Sequence, residues 1–167
     1  MAANTGRTVK RWLRFILKDS AGTLREIPID SINGVGLDFP EMELTAFQDA
    51  LKGVLPDTPT CEITITGPFD NSVAAAVAAS GAAPTLSGSH TILNAINGLS
   101  TPLSLGVYIG MRHYWETGEP TFGISSSATS GFILLQYQAD PANGKYTAKF
   151  GMYPGSSAPA WGTAVVT

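Results

Sequence analysis

The chain has 167 residues, enough for one domain with a sizeable core. Only 14% of them are charged, the net charge is −3 and the pI is near 5.2, which excludes the strongly basic character of duplex binders. A single cysteine, Cys61, excludes an intrachain disulfide and an all-cysteine metal site.

No apolar run approaches the roughly 20 residues of a membrane span, and the N-terminus lacks the apolar stretch of a signal peptide. The expectation is a chain made and folded in a cytoplasm, with no direct membrane binding. The 18 glycines and 11 prolines, with abundant Ser and Thr, favour turn-rich β structure over a helical bundle. A surface this short of charge suits one that neighbours will cover.

Residues 1–10 are small and polar and read as an N-terminal arm. Trp12 to Leu17 is apolar with Arg14 interposed, a strand. Lys10, Arg11, Arg14 and Lys18 cluster there and read as a solvated face. Asp19-Ser20-Ala21-Gly22 is a turn signal, and Leu24 to Ile29 closes a hairpin. Pro28 places that second strand at an edge or marks its end. Gly34 and Gly36 weaken a strand over 32–37.

Residues 38–59 form a long, polar, hairpin-like excursion bounded by Pro40 and Pro56, with a possible helical turn at 47–51. It carries Asp38, Glu41, Glu43, Asp49 and Asp57 against Lys52 alone. Loops of this length inside a compact domain are usually functional. Thr60 to Thr66 then alternates strictly: Cys61, Ile63 and Ile65 face a core, Glu62, Thr64 and Thr66 face water.

The Ala-rich stretch over 72–80 reads as a weak helix or an ordered loop. A firmer helix spans 89–98: Ser89 suits the N-cap, Ile92, Leu93 and Ile96 make an apolar stripe, and Gly98 stops it. Asn94 and Asn97 then face outward. Leu103, Leu105, Val107 and Ile109 mark another half-buried strand. Residues 112–130 read as a loop. Phe132 to Gln138 and Tyr146 to Met152 are strands joined through Asn143-Gly144, a hairpin signal. Residues 155–167 read as a flexible C-terminal tail. The sum is a single mainly β domain over 1–167, an antiparallel β-sandwich or flattened barrel with one flanking helix.

Motifs for chemistry are missing. His90 and His113 lack zinc-ligand spacing. His90 reads as an exposed or packing residue, and His113, beside Arg112, Tyr114 and Trp115, as part of a packed loop anchor. No Gly-x-Ser-x-Gly elbow is present, since Gly88-Ser89-His90 lacks the second glycine. Glu116 and Glu119 are neighbours in a turn rather than two acids across a cleft. Gly144-Lys145 lacks the upstream glycine of a phosphate loop, and Asp38, Glu41 and Glu43 fit no calcium-loop pattern. No enzyme activity, cofactor or metal is expected.

The ordered set of elements resembles the major tail proteins, the tail-tube subunits of long-tailed, non-contractile bacteriophages. Residues 43–56 match the family's long polar loop. Glu62 to Asp70, with Ile63-Thr64-Ile65-Thr66-Gly67-Pro68-Phe69-Asp70, is similar to its strand and exit. Ser87-Gly88-Ser89-His90-Thr91-Ile92-Leu93 resembles its helix, and Gly118-Glu119-Pro120-Thr121-Phe122-Gly123 its turn. The Ala-Pro-Ala-Trp-Gly terminus completes the set, over roughly residues 10–162. The stretch 73–86 departs from the family's short connection and reads as an insertion.

The resemblance implies a homo-oligomeric ring of six, whose inner sheets join into a barrel lining a channel. Rings then stack into a virion tail tube for the genome. It implies as partners a tape measure protein within the tube, a tail terminator and a distal tail protein, and transient, non-specific passage of DNA. Glu43, Thr45, Phe47, Asp49, Lys52 and Leu55 are the candidates for stacking contacts between rings. Asp38, Glu41, Glu43 and Glu62 are the candidates for an acidic lumen that repels phosphate.

Three other readings remain open on the sequence. The first is another virion component, a capsid decoration or tail-completion protein. The second is a carbohydrate-binding module, for which Tyr108, Tyr114 and Trp115 are the only candidate aromatics. The third is a hydrolase uniting His113 with a Ser or Asp.

Overall fold

The computed structural model describes residues 12–44, 53–116, 118–163 and 166–167. The strands are β1 (Leu13–Lys18), β2 (Leu24–Ile27), β3 (Ser31–Asn33), β4 (Glu41–Glu43), β5 (Val54–Pro56) and β6 (Glu62–Pro68). After helix α1 (Ser89–Ile96) come β7 (Leu105–Ile109), β8 (Thr121–Ile124), β9 (Phe132–Asp140), β10 (Lys145–Met152) and β11 (Ala160–Gly162).

They form a sandwich, as the sequence implies. One sheet runs β11-β8-β7-β1-β2 and the other β3-β6-β10-β9, all antiparallel, and β4-β5 is a separate two-stranded arm. Only residues 28–30 join β2 to β3, so these two edge strands share one flank of the sandwich. The edges β9 and β11 share the other, where α1 packs on β9.

The core follows the alternation. Ile63, Ile65, Tyr146, Ala148 and Phe150 of the second sheet meet Phe15, Leu17, Val107 and Phe122 of the first. The Phe15 and Phe150 rings lie 5.5 Å apart. Cys61 sits in this core, and its burial pushes the thiol up to about 11. Burial of these apolar side chains is the main favourable term.

Several local expectations change. Gly88, not Ser89, is the N-cap residue of α1. The Ser89 hydroxyl is buried instead, donating to the Pro68 carbonyl (2.7 Å) and accepting from the Asp70 N–H (3.0 Å). It ties the helix to the exit of β6. The helix ends at Ile96, with Asn94 and Asn97 exposed and Gly98 at φ 78°. The loop expected over 112–130 contains β8, hidden because Thr121-Phe122-Gly123-Ile124 is short and holds a glycine. In place of a flexible tail, Ala160–Gly162 pairs with β8 and Val166 is buried. The helical turn considered at 47–51 and the arm 1–10 lie outside the described residues.

The largest departure concerns the first sheet, whose central strands β1 and β7 are buried on both faces. Ile16, Tyr108 and Val166 lie on the face away from the main core, packed with Met111 and Tyr114. Residues 72–88 cross this face as an ordered strap without regular structure, contributing Val77, Ala78 and Ala82. The strap also follows the free edge of β2: Val77 N–H donates to Leu24 O (3.1 Å) and Ser87 N–H to Glu26 O (2.8 Å). Ser87 Oγ closes the strap on itself through the N–H and carbonyl of Ala75.

Beneath the strap lies Glu26, 1% exposed. Its carboxylate accepts from Tyr114 Oη (2.6 Å) and from Arg14 Nη1 (3.3 Å). Tyr114 Oη in turn accepts from the Thr85 N–H of the strap (2.7 Å). Arg14 is therefore a partner for a buried acid rather than part of a solvated face. Desolvation raises the Glu26 carboxyl above its ordinary value of 4.5, against the opposing pull of Tyr114 and Arg14.

Tyr114→Phe removes the donor to a buried carboxylate and should cost about 1.5–3 kcal/mol in denaturant unfolding. Because the folded-state value of Glu26 is raised, its contribution to stability is present below the unfolded value and lost as pH rises through the folded one. The stability of Glu26→Gln relative to the native chain should therefore climb as pH is taken upward from 4.5. Parallel melting curves for the two proteins across that range, with no change in their separation, would show that Glu26 is not desolvated as described.

Candidate assembly surfaces

The second sheet leaves one face in water. Ser31 and Asn33 of β3, Glu62, Thr64 and Thr66 of β6, Lys145, Thr147 and Lys149 of β10, and Gln136, Gln138 and Asp140 of β9 share it by register. The face is one of hydroxyls and amides. Its lysines are matched: Lys149 Nζ lies 2.8 Å from Glu62 Oε2, and Lys145 pairs with Asp30. Glu62 is thus held by a cation beside it. Leu135 is the exposed apolar residue here, placed over Gly151 by a β-bulge opposite Lys149 and Phe150.

The arm is the second surface. It leaves β3 through Gly34, whose φ of 79° and approach to the Glu62 carbonyl leave no room for a Cβ. The backbone of Asp38 bridges Thr60 at its base. Register puts Met42 opposite Leu55, with Leu44 following across from Gly53. One arm face therefore carries Met42, Leu44 and Leu55, and the other Glu41, Glu43 and Val54. Phe39, Met42, Leu44, Val54 and Leu55 are five of the ten exposed large apolar residues described. Both main sheets lie apart from the arm in hydrogen bonding.

The candidate residues fall into two places. Glu43 and Leu55 lie on the arm, whereas Thr45, Phe47, Asp49 and Lys52 lie outside the described residues. Of the acids, Asp38, Glu41 and Glu43 belong to the arm and its base, and Glu62 to the wet sheet face. Asp38 and Glu62 line one open cavity with Gly34, Gly36 and Thr60, while Glu41 and Glu43 stand on the arm strand β4.

The other candidates are also placed. Tyr108 and Tyr114 are buried, so they form no exposed stacking platform with Trp115. His90 packs between the Phe69 and Tyr137 rings (4.8 and 5.8 Å), its Nδ1 2.7 Å from Tyr137 Oη. His113 Nδ1 lies 3.6 Å from Glu116 Oε1, and the other Glu116 oxygen accepts from the Arg112 N–H (2.6 Å). These contacts, with backbone donors foremost, hold the Glu116 carboxyl below its ordinary value despite some burial. Arg112 stacks its guanidinium 4.0 Å over Trp12. Each is a packing or loop-anchoring contact. Of the two sequence readings of 72–80, the ordered loop holds; what sequence reasoning missed is that it covers the first sheet and Glu26, for which composition offered one signal: residues 71–111 contain no Asp, Glu, Lys or Arg.

The sequence matches no protein-family model and no curated protein. Its fold does match solved structures over nearly its whole length. A chain from the sheath–tube complex of an extracellular contractile injection system, PVC, in the extended state aligns with a TM-score of 0.51 at 11% identity, covering 96% of this chain and 95% of that one. A chain from the PVC sheath/tube terminator, also extended, gives 0.51 at 12%, covering 96% and 99%. A chain from the anti-feeding prophage cap, a tube-terminating cap, gives 0.50 at 12%, covering 98% and 96%. At this identity the likeness is one of fold alone.

Proposed function

We propose that this chain is a structural subunit of a phage-tail-like particle, without enzymatic chemistry. Copies of it close into a ring, six in the reading from sequence, and the rings stack into the tube of a virion tail that conducts the genome. The carrying observation is the exposed hairpin arm, whose apolar face has no cover among the described residues. End-to-end likeness to chains of tube and cap assemblies supports it. The sequence resemblance points to non-contractile tails and the structural likeness to contractile systems; a ring-forming tube or cap subunit is common to both.

The sheet edges suit this role. The edge of β2 is sealed by the strap, whereas the nine-residue β9 and the short β3 flank the second sheet. Joining β9 of one copy to β3 of the next continues that sheet around a ring and removes two aggregation-prone edges. Its hydroxyl- and amide-rich face then lines the channel. Paired lysines leave no surplus of cations to hold phosphate, so DNA can slide. Assembly in the host cytoplasm, a tape measure protein inside the tube, and terminator and distal tail proteins at its ends are the partners this role requires. The second reading, a terminating ring that does not stack, is favoured by the likeness to terminator and cap chains.

Negative-stain microscopy of the purified protein at high concentration, with mass by light scattering, separates these readings. Hollow tubes are expected; isolated rings would favour the terminator, and a monomer at every concentration would overturn the proposal. Leu55→Asp with Val54→Asp, both on the exposed arm, should change unfolding free energy by no more than about 0.5 kcal/mol. The same double variant should abolish the assemblies.

A further inference from the structure

The exposed apolar residues are not scattered. Five lie on the arm, which springs from the ends of β3 and β6. Leu99, Leu135 and Trp161 lie toward the opposite flank, on or beside α1, β9 and β11. Only Val73 and Leu86, on the strap, lie elsewhere.

We propose that the arm of one copy seats its Met42–Leu44–Leu55 face on the β9–β11 flank of the next copy in the same ring, with Trp161 as the receiving side chain. The partner is thus a second copy of this chain, and the contact runs within a ring rather than between rings. The inference rests on the ring-forming reading above.

Three observations support it. Trp161 is 52% exposed although its ring stacks on buried Phe122 at 5.1 Å, so it is a fixed apolar surface rather than a free side chain. Beside it lies an open notch of about 210 Å³, lined by Gly123, Ile124, Ala160, Gly162 and Val166 together with Thr121 and Ser125. Gly123 and Ala160, paired in register on the sheet face opposite Trp161, put no large side chain into the notch.

The charges also fit. None of the lining residues is charged, and Glu41 and Glu43 stand on the arm face away from Met42 and Leu55, where they stay in water. Donor and receiver are different surfaces on opposite flanks. Such a contact is heterologous and closes only by rotation, the geometry of a ring. It also continues the β3-to-β9 joint, which brings the donor flank of one copy to the receiver flank of the next.

Leu55→Cys and Gly162→Cys, each made alone and then mixed, test this with a short bismaleimide. A covalent dimer of two 17.5 kDa chains should form in the mixture and not from either variant alone, and the double variant should give a ladder. Trp161→Ala should weaken assembly at least tenfold in the concentration required, with circular dichroism and melting confirming that the variant folds. Rings by microscopy with no mixed cross-link would overturn the inference and leave the ring reading standing. Cross-linking of Leu55→Cys to itself as efficiently as to Gly162→Cys would overturn it too. Loss of both rings and cross-link would overturn the two together.

Discussion

The first sheet is covered twice, and the rest of the molecule is arranged around that constraint. A sheet with apolar residues on both faces must have a second layer on each side. Phe15-Ile16-Leu17 in β1 supplies the apolar pair of faces in three consecutive residues. The second sheet covers one side. Residues 72–88, the 110–116 loop and Val166 cover the other. The wet face of the second sheet is then the one broad β surface left to water, and it is the polar one.

The second covering also explains the buried acid. A strap lacking regular structure cannot satisfy its backbone groups internally, so it borrows partners. It takes backbone carbonyls from β2 at Leu24 and Glu26 and the phenol of Tyr114, and adds the hydroxyl of its own Ser87. Glu26 fixes that phenol, and Arg14 balances the carboxylate. Removing one partner from such a group costs more than the pair contributes net, because an uncompensated buried charge remains. Specificity of the strap's position, rather than bulk stability, is the physical use of this arrangement.

The sequence displayed the second sheet almost completely. Strict alternation over 60–66 and the Asn143-Gly144 hairpin fixed β6, β9 and β10, because each strand has one wet face and one dry. The first sheet was harder to read. Glu26 lies beneath a cover contributed by residues some fifty to ninety positions away, so its local pattern reads as polar. β8 and β11 are short, contain glycine, and take their identity only from pairing, β8 with β7 and β11, and β11 with β8. Ser89 looked like a helix cap by type but is claimed by the exit of β6, a tertiary contact that outcompetes the local one. Of the surfaces, the arm was visible as a long acidic excursion. Its two-faced character was not, because it depends on the pairing of Met42 with Leu55 across residues the pattern treats as loop.

The same asymmetry decides where a subunit can meet its copies. Sealing β2 with the strap removes the first sheet's edge on one flank; on the other, α1 packs beside β9, whose outer edge is bonded to Leu103 at Phe132. A strand edge that stays open in a soluble chain is a hazard unless a partner is meant to take it. Here eight of the ten exposed large apolar side chains described lie on the arm or toward the β9–β11 flank, and the two surfaces differ in shape: one projects, the other offers a shallow seat. Identical flanks would pair copies face to face and stop at two. Different flanks carry each copy's asymmetry to the next, so growth ends only when the rotation between neighbours closes the circle.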